Sequence, residues 1–404
     1  MKLSQELEWR GFVNQTTFKD LTILDGEPIS FYWGVDPSAD SMHIGQLAMA
    51  IMIRHFIAYG HKATLLVGGA TGMIGDPDGK GEERDLKPVE EIDANKAGIA
   101  SQYRSLFADQ PFTIVDNYDW FKDISYLGFL RDVGKYFSMT QLLDRDFVQT
   151  RIGEGGAGIS YAEFSYSLIQ GYDFLHLFRK YGVTLQIAGA DQWGNSVSGV
   201  QLIRKLENTE AHIWTAPLII NKSTGKKFGK SEAGAVWLDP RKTSVYKFYQ
   251  FWLNVDDESV IDYVKIYTLL SPDEIEALAT EHQQNPRART AQKTLASEVT
   301  MLVHGRERTE SVQRVTDVLF GSHSFLDLKD EDIEALAEEI PTQAANTNLI
   351  SCLVEGGLAA SNGEARRLIA NGAVSVNGQK ANDDIRIESR SLIKKGKNSF
   401  VLVR

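Results

Sequence analysis

The residues best suited to chemistry lie in a few short stretches, and the first of them is residues 32–46. Here the turn Asp36-Pro37-Ser38 separates an apolar run from a helical pattern, and His43-Ile44-Gly45-Gln46 opens that helix. The first turn of a helix presents unpaired N–H groups and a partial positive charge, which suit an anion such as phosphate. The imidazole of His43 and the amide of Gln46 are candidate phosphate donors. The plain alternative is that His43 only caps the helix.

The second stretch, Gly68 to Lys80, contains four glycines within its first eight residues. Bare backbone of this kind suits the close approach of a ligand, and it suits an ordinary bent turn equally well. The stretch is not a Walker phosphate loop, because Ile74 stands where that motif needs a glycine and Gly81 follows Lys80 in place of Ser or Thr.

A lysine-rich loop forms the third stretch, Gly225 to Ser231. It also departs from the Walker pattern, since three residues separate its glycines where the motif has four. The loop is able to approach a polyphosphate through its lysines, and the alternative is a solvated charged loop.

Two further groups of polar residues accompany predicted secondary structure. Tyr166, Gln170 and Asp173 are spaced to share one face of a helix, and buried polar groups there would need polar partners. A ligand with hydroxyl and ammonium groups would supply them, whereas the alternative is a half-buried helix face. Asp191 to Asn195 follows a predicted strand end, where ribose hydroxyls are commonly bound.

Four apolar runs alternate with helical patterns, which predicts an α/β domain with a parallel sheet covered by helices. The predicted strands are Phe31 to Val35, Ala63 to Val67, Phe112 to Val115 and Thr184 to Ala188. The polar stretches follow the strands, at the edge of a parallel sheet where ligands bind.

Later in the chain the pattern changes, and we predict four parts. They are a catalytic domain over 1–220, a lysine loop with a helical domain over 221–325, an acidic connector over 326–345 and a small α+β domain over 346–404. In the last part, residues 362–369 are predicted to be a helix, and 373–379 a strand that enters an Asn-Gly turn.

Composition excludes several classes of protein. The single cysteine, Cys352, excludes an internal disulfide and a thiolate zinc cluster, and the eight histidines lack paired ligand spacing, so we predict no protein-held metal. No apolar run is long enough to cross a bilayer, and the first ten residues have no signal-like core, so a cytoplasmic protein is expected. The net charge of −11 argues against bulk adhesion to nucleic acid, yet residues 346–404 carry nine basic against five acidic side chains.

These motifs, in this order, resemble the bacterial-type tyrosyl-tRNA synthetases, which are class I aminoacyl-tRNA synthetases. The resemblance spans essentially the whole chain and implies a Rossmann-like catalytic domain, then an α-helical domain, then an RNA-binding S-four-like module. It implies that L-tyrosine and ATP give tyrosyl-adenylate and pyrophosphate, and that tRNA(Tyr) then receives the tyrosyl group on its terminal adenosine. Mg²⁺ would arrive with ATP.

The resemblance also implies roles for individual residues. The tyrosine-binding set is Tyr32, Asp76, Tyr166, Gln170, Asp173 and Gln192, with Tyr32 and Asp173 on the phenol. The catalytic set around the phosphates is His43, Gln46, Lys80, Arg84, Lys227, Lys230 and Ser231. The ATP-binding set is Asp36, Gly45, Gly189, Asp191 and Lys230. The tRNA-binding set is Arg204, Lys205, Arg366, Arg367, Lys394 and Lys395, with Lys380 and Lys397 as further phosphate contacts. A homodimer is expected through the helical stretch from Tyr126 to Phe164.

Two positions depart from the family pattern. The family usually has histidine at the position of Gln46 and a small residue at that of Trp33. Gln46 keeps an N–H donor but cannot become cationic, so altered handling of ATP is expected. The indole of Trp33 must turn away from the ribose or stack on it. The alternatives are a catalytically silent RNA-binding paralogue and an enzyme that adenylates tryptophan or a small acid.

Overall fold

The computed structural model describes residues 1–77, 86–222, 225, 228, 230–231, 234–321 and 323–404, and for residues 146, 147, 230 and 231 it describes the backbone only. The chain folds as two compact units. The first unit comprises residues 1–243 and 254–295, and the second comprises 244–253 and 296–404. The predicted division at residues 220, 325 and 345 rests on sequence patterns and stays a prediction.

The strands fall into a sheet in each unit and two short ribbons. In chain order they are β1 (Gln15–Thr16), β2 (Ser30–Val35), β3 (Lys62–Val67), β4 (Phe112–Asp116), β5 (Leu185–Gly189), β6 (His212–Ala216), β7 (Lys230–Ser231), β8 (Gly234–Ala235), β9 (Thr342–Gln343), β10 (Thr347–Asn348), β11 (Val374–Val376), β12 (Gln379–Lys380), β13 (Arg386–Ile387), β14 (Ser391–Lys395) and β15 (Ser399–Val403).

The helices surround both sheets. In chain order they are α1 (Leu3–Arg10), α2 (Ile44–Ala58), α3 (Thr71–Ile74), α4 (Val89–Leu106), α5 (Tyr118–Phe121), α6 (Tyr126–Asp132), α7 (Met139–Leu143), α8 (Asp146–Ile152), α9 (Tyr161–Tyr181), α10 (Trp193–Glu207), α11 (Val245–Leu253), α12 (Val260–Tyr267), α13 (Pro272–Gln284), α14 (Thr290–His304), α15 (Arg306–Phe320), α16 (Asp330–Ala337), α17 (Leu349–Glu355) and α18 (Asn362–Ala370).

The sheet of the first unit has the order β1-β6-β5-β2-β3-β4, in which all strands but β1 are parallel. The chain builds β3 and β4 on one side of β2 and returns to place β5 and β6 on the other side. The strand order therefore reverses between β2 and β5, and in open α/β sheets the crevice at such a reversal binds ligands. The α/β prediction is confirmed.

The four predicted strands all form, within one residue of the predicted bounds. Strand β6 and the two-residue edge strand β1 were not predicted. Strand β6 is almost fully buried and has no glycine or proline boundary before it, whereas β1 is too short to show alternation.

Helix α9 carries the predicted polar face and has clear signals at both ends. The Ser160 hydroxyl accepts a hydrogen bond from the Glu163 N–H at its start, and Gly182 ends it in the left-handed conformation at φ 65°. It packs closely against α10, where a Cβ on Gly199 would lie 2.8 Å from the Phe174 ring. This packing fixes the face that carries Gln170 and Asp173.

In the second unit the sheet β12-β11-β14-β15-β9 is covered on both faces. One face packs on α17 and α18 through side chains such as Ile393 and Val401. The other face packs on α15 and α16 through Leu392, Phe400 and Leu402. Two-sided burial explains why Phe400 to Val403 is an unbroken apolar run.

The turn predicted at Asn377-Gly378 is confirmed. Both residues have positive φ, 49° and 82°, as a two-residue hairpin turn between β11 and β12 requires. The segment predicted to be a connector contains α16 and then β9, which adds to β15 as a parallel edge strand. Its side chains Ile333 and Leu336 are buried in the core of the unit.

None of the helices within the described residues is both long enough and apolar enough to span a membrane. In the same residues no cluster of three or more His, Cys, Asp or Glu side chains is arranged to hold a metal ion.

Arg10, in α1 of the first unit, is buried and donates four hydrogen bonds. The Arg10 side chain, 1% exposed, donates to the carboxylate of Glu6 at 2.9 Å and to the backbone carbonyls of Lys265, Thr268 and Leu270. These bonds satisfy the Lys265 carbonyl in the last turn of α12 and two carbonyls of the segment that follows the helix.

We predict that Arg10→Met lowers the free energy of unfolding by about 3 kcal/mol, because the buried Glu6 carboxylate loses its cationic partner and three carbonyls lose a donor. Urea denaturation measures the change. The control is Arg179→Met, which breaks an ion pair of the same type to Glu207 on a side chain that is 50% exposed. That variant should lose less than about 1 kcal/mol. Equal losses in the two variants would contradict this role of the buried arginine.

Candidate active site

A cavity of about 510 Å³ opens where the strand order of the first sheet reverses. Twelve of the predicted site residues line it: Tyr32, Asp36, His43, Gly45, Gln46, Asp76, Tyr166, Gln170, Asp173, Gly189, Asp191 and Gln192. They come from β2, β5, α2 and α9 and from the segments that follow β2, β3 and β5. The structure therefore brings together residues that are up to 160 positions apart in the chain.

A buried carboxylate closes the deepest part of the cavity. The Asp173 side chain accepts one hydrogen bond from the Asn117 amide at 3.0 Å and another from the Trp120 indole N–H at 2.9 Å. Burial raises its pKa well above the usual value, against the lowering effect of those two bonds. The two donors favour the charged carboxylate, which keeps further capacity to accept a hydrogen bond.

The Tyr32 hydroxyl is buried beside this carboxylate and has no hydrogen-bond partner among the described residues. Burial, and secondarily the charge of Asp173, raises the pKa of Tyr32 well above its ordinary value, so the phenol stays protonated. A buried hydroxyl without a partner costs free energy. A ligand hydroxyl that donates to Asp173 and accepts from Tyr32 would satisfy both groups.

Two glutamines add unpaired amide oxygens to the cavity. Gln170 on α9 and Gln186 on β5 each have a buried Oε1 atom with no partner among the described residues. Both are acceptors, so they suit a ligand that carries N–H or O–H donors. Gln186 was not predicted, because in the sequence it reads only as one polar residue within a buried strand.

Asp36 and Asp76 line the cavity, and each accepts hydrogen bonds from neighbouring side chains. Asp36 accepts hydrogen bonds from the hydroxyls of Tyr166 at 2.7 Å and Thr71 at 2.6 Å. Asp76 accepts from the Gln192 amide at 2.5 Å and from Asn195 at 3.3 Å. Burial, then Asp36 and Asp76, raises the pKa of Tyr166 well above its ordinary value. Two carboxylates at this position make a region suited to a cation such as an ammonium group.

The backbone at Gly68 and Gly69 is packed against carboxylates of the protein, whereas the sequence suggested backbone open to a ligand. A Cβ on Gly68 would lie 2.1 Å from a carboxylate oxygen of Asp36, and one on Gly69 would lie 2.2 Å from Asp116. The Gly69 N–H donates to Asp116 at 3.2 Å. The missing side chains at these two positions therefore make room for carboxylates of the protein itself.

The start of α2 fixes both polar residues of the His43–Gln46 turn. The Gly45 N–H donates to Nδ1 of His43 at 3.0 Å, and the His43 N–H donates to Oε1 of Gln46 at 2.9 Å. A neutral imidazole that accepts through Nδ1 carries its proton on Nε2. In the same way Gln46 uses its oxygen for the cap and keeps its NH₂ group as donor. Each side chain can therefore cap the helix with one atom and donate a hydrogen bond with another.

Trp33 turns away from the centre of the cavity. Its side chain is 3% exposed and packs edge-on against Tyr103 of α4, with ring centroids 5.4 Å apart. Neighbouring residues of a strand point to opposite faces, so Trp33 and Tyr32 lie on opposite sides of β2. The indole touches the cavity wall and belongs mainly to the packing between sheet and helix.

Several predicted phosphate contacts lie outside what the structure describes. Lys80, Arg84 and Lys227 fall outside the described residues, and for Lys230 and Ser231 only the backbone is described, as strand β7. Phe228 of the same loop is described, and its ring stacks on Tyr263 of α12 with centroids 4.1 Å apart.

The predicted tRNA contacts divide into two kinds. Arg204, Lys205, Arg366 and Arg367 are exposed, although the Lys205 ammonium group donates to the Tyr136 carbonyl at 2.5 Å. Lys394 and Lys395 are half-buried and donate to the carbonyls of Leu319 and Leu358 at 3.0 and 2.5 Å. Of the tail residues in this set, the two arginines on α18 are the most open to solvent.

Asn117 and Trp120, which hold the Asp173 carboxylate, were not predicted from the sequence. Asn117, which is fully buried, also accepts from the Ala70 N–H and donates to Thr71, so it links the glycine-rich stretch to Asp173. Trp120 lies on α5, three residues later. The sequence feature that could have indicated them is the end of strand β4 at Asp116, since functional residues often follow the strands of a parallel sheet.

Comparison with known proteins agrees with this geometry. Residues 24–321 match the family model described as tRNA synthetases class I (W and Y), and residues 332–404 match the tyrosine–tRNA ligase SYY-like C-terminal domain.

Among curated proteins, the tyrosine–tRNA ligase of Geobacillus stearothermophilus is 44% identical and that of Limosilactobacillus reuteri 41% identical, and both alignments cover the whole of both chains. A C-terminally truncated mitochondrial tyrosyl-tRNA synthetase of Aspergillus nidulans has a TM-score of 0.71 at 30% identity, over 79% of this chain and 94% of that one. The chain belongs to the tyrosine–tRNA ligase family within the class I tRNA synthetases.

Proposed function

We propose that this chain activates L-tyrosine with ATP, giving tyrosyl-adenylate and pyrophosphate, and then transfers the tyrosyl group to the 3′-terminal adenosine of tRNA(Tyr). The relatives at 41–44% identity over full length support this function. The observation that carries it is a pair in the cavity: the buried Tyr32 hydroxyl, which has no partner among the described residues, and the Asp173 carboxylate, which two donors hold.

In this proposal the substrate phenol donates to Asp173 and accepts from Tyr32. A site built to bind a hydroxyl rejects the analogue without it, because its own polar groups are then left unpaired, and tyrosyl-tRNA synthetases are themselves the established example of this discrimination. Asp76, Tyr166 and Gln170 then hold the α-ammonium group, and Gln192 lies near the carboxyl group. The two carboxylates of the middle region support that assignment.

ATP occupies the other end of the cavity, with Asp36, Gly45, Gly189 and Asp191 near its ribose and phosphates, and it brings Mg²⁺ with it. His43 through Nε2–H and Gln46 through its NH₂ group donate to phosphate oxygens. The tyrosine carboxylate attacks the α-phosphorus and pyrophosphate leaves. Protein residues contribute by orienting the reactants and by stabilising the charge that develops. Lys80, Arg84, Lys227, Lys230 and Ser231 complete the phosphate set in this proposal.

Transfer requires a tRNA, and the exposed arginines of α18 support a contact with its backbone. We assign Arg366 and Arg367 to that contact, with Lys394 and Lys395 nearer the sheet, and Arg204 and Lys205 to the acceptor end. A cytoplasmic location is part of the same proposal.

The proposed homodimer uses residues 126–164. Large apolar side chains are exposed there, as expected of an interface: Tyr126, Leu127, Met139, Ile152 and Tyr161. Sedimentation velocity on the full chain tests this, with a single-chain mass as the result that would contradict it.

Tyrosine-dependent exchange of pyrophosphate into ATP tests the function. We expect exchange with L-tyrosine and none above background with L-phenylalanine or L-tryptophan. Exchange with L-tryptophan alone would favour the adenylating alternative, and no exchange with any amino acid would favour the silent RNA-binding paralogue.

The Tyr32→Phe variant should raise the KM for tyrosine about tenfold, because one hydrogen bond to the substrate phenol is lost. The KM for ATP should stay the same. Tyr172→Phe is the matched control, since Tyr172 belongs to the same helix as Asp173 but packs on Phe121 and Phe129 outside the cavity. Equal tyrosine KM values in wild type and Tyr32→Phe would remove Tyr32 from the phenol site.

Gln46→His should change the KM for ATP by no more than about tenfold, because one ring nitrogen of histidine can accept the cap hydrogen bond while the other donates to phosphate. Exchange rates at varied ATP measure this. Gln102→His is the control: its amide also accepts a backbone N–H, that of Met42, but it does not line the cavity. A rate increase of more than about a hundredfold in Gln46→His would mean that Gln46 impairs the natural enzyme.

A further inference from the structure

The segment after the lysine loop is fastened to the residues that open α2. The Ile44 N–H donates to the Val236 carbonyl at 3.0 Å, and the Leu238 N–H donates to the Met42 carbonyl at 2.9 Å. The two segments run antiparallel, with His43 opposite Trp237. Trp237 is therefore held beside His43 by backbone bonds on both sides of it.

The imidazole of His43 lies in a narrow slot. A Cβ on Gly45 would come within 2.8 Å of Cε1 and 3.0 Å of Nδ1 of the ring. Only the absence of a side chain at Gly45 lets the ring fold back over the helix start, where it accepts the Gly45 N–H. Gly45 thus forms one wall of the slot.

The Trp237 indole forms another wall. Its ring meets the imidazole edge-to-face, with centroids 6.1 Å apart and planes at 65°. Such contacts are favourable and directional for aromatic pairs. Backbone pairing holds the main chain of Trp237, and the ring restricts rotation of the His43 side chain.

The indole itself is fixed from a second direction. The Lys242 ammonium group lies 5.2 Å from the centroid of the indole ring and 2.7 Å from the carboxylate of Asp40. A cation over an aromatic face is attracted to it, and Asp40 restrains the cation. The Trp237 N–H of the main chain also donates to the Thr243 hydroxyl at 3.0 Å.

We propose that Trp237 is a positioning residue for the adenylation step. It closes the slot around His43 and so keeps the Nε2–H of the imidazole directed at the phosphates. This inference rests on the proposed function for its effect on rate, and on the geometry alone for its effect on the imidazole. Trp237 does not line the cavity, so it acts through His43.

The Trp237→Leu variant should lower kcat for tyrosine-dependent pyrophosphate exchange about tenfold, because the imidazole loses its fixed orientation. The KM for tyrosine should not change, and Trp237→Phe should keep most of the rate. Trp9→Leu is the matched control: Trp9 also has a lysine over its ring, Lys265 at 4.5 Å, but does not contact His43. It should leave kcat unchanged.

A double-mutant cycle separates positioning from support of the fold. Asparagine at position 43 retains a good helix cap, so His43→Asn removes the imidazole without removing the cap. Trp237→Leu should have no further effect on kcat in the His43→Asn background. A further tenfold loss in that background would show that Trp237 acts independently of His43 and would overturn the proposal.

Imidazole ¹⁵N spectra give a readout that does not need activity. The His43 signals are those missing from His43→Asn. In the wild-type chain they should show a protonated Nε2 and an accepting Nδ1, and in Trp237→Leu a mixture of tautomers. Unchanged His43 signals in Trp237→Leu would overturn the proposal. Absence of exchange in the wild type would instead refute the proposed function, and these spectra would still decide the role of Trp237.

Discussion

The geometry of the candidate site depends on one buried carboxylate, that of Asp173. Ionised Asp173 must be stabilised inside the protein, and Asn117 and Trp120 provide the two donors that do so. Asn117 directly follows strand β4 and Trp120 lies on the helix after it, while Asp173 comes from α9. The charge of Asp173 is stabilised only if α9 packs against the sheet so that the carboxylate reaches Asn117 and Trp120.

The cavity also holds buried polar groups for which the described residues provide no hydrogen-bond partner. The hydroxyl of Tyr32 and the amide oxygens of Gln170 and Gln186 are buried without partners in the described chain. Each unpaired group costs stability, and a ligand with matching donors and acceptors recovers it. These buried groups therefore both lower the stability of the empty site and select a ligand that can pair with them.

At the proposed phosphate end, hydrogen bonds at the start of α2 orient the side chains of His43 and Gln46. The two donors proposed for ATP are partly exposed, and their orientation comes from the helix start. His43 and Gln46 cap α2 with one atom each, and each carries an N–H on another atom that can face the ligand. Full burial is not required, because the cap hydrogen bonds favour one tautomer of His43 and one direction of the Gln46 amide.

Much of this architecture was predictable from sequence, for physical reasons. Strands such as β2 and β3 are buried on both faces and read as apolar runs, and polar residues after them mark the edge where ligands bind. Motif resemblance located Tyr32, His43 and Asp173. The order of motifs predicted one site, and the structure brings their described residues into one cavity.

The rest depends on long-range packing that sequence patterns do not encode. Asn117 and Trp120 belong to a stretch without a motif, and they gain significance only because α9 crosses their position. The direction of Trp33 follows from which face of β2 meets α4. Lys394 and Lys395 read as free cations in the sequence, whereas the fold gives each a carbonyl to bind.

The central role of Asp173 is tested most directly by calorimetric binding of L-tyrosine to the full chain across a pH series. Burial raises the pKa of Asp173, so protonation should remove the charged acceptor as the pH falls through that raised value. We predict that tyrosine affinity is highest above this pKa and decreases below it, with L-phenylalanine weak throughout. Equal affinity for both amino acids, or tyrosine binding that does not depend on pH, would contradict that role.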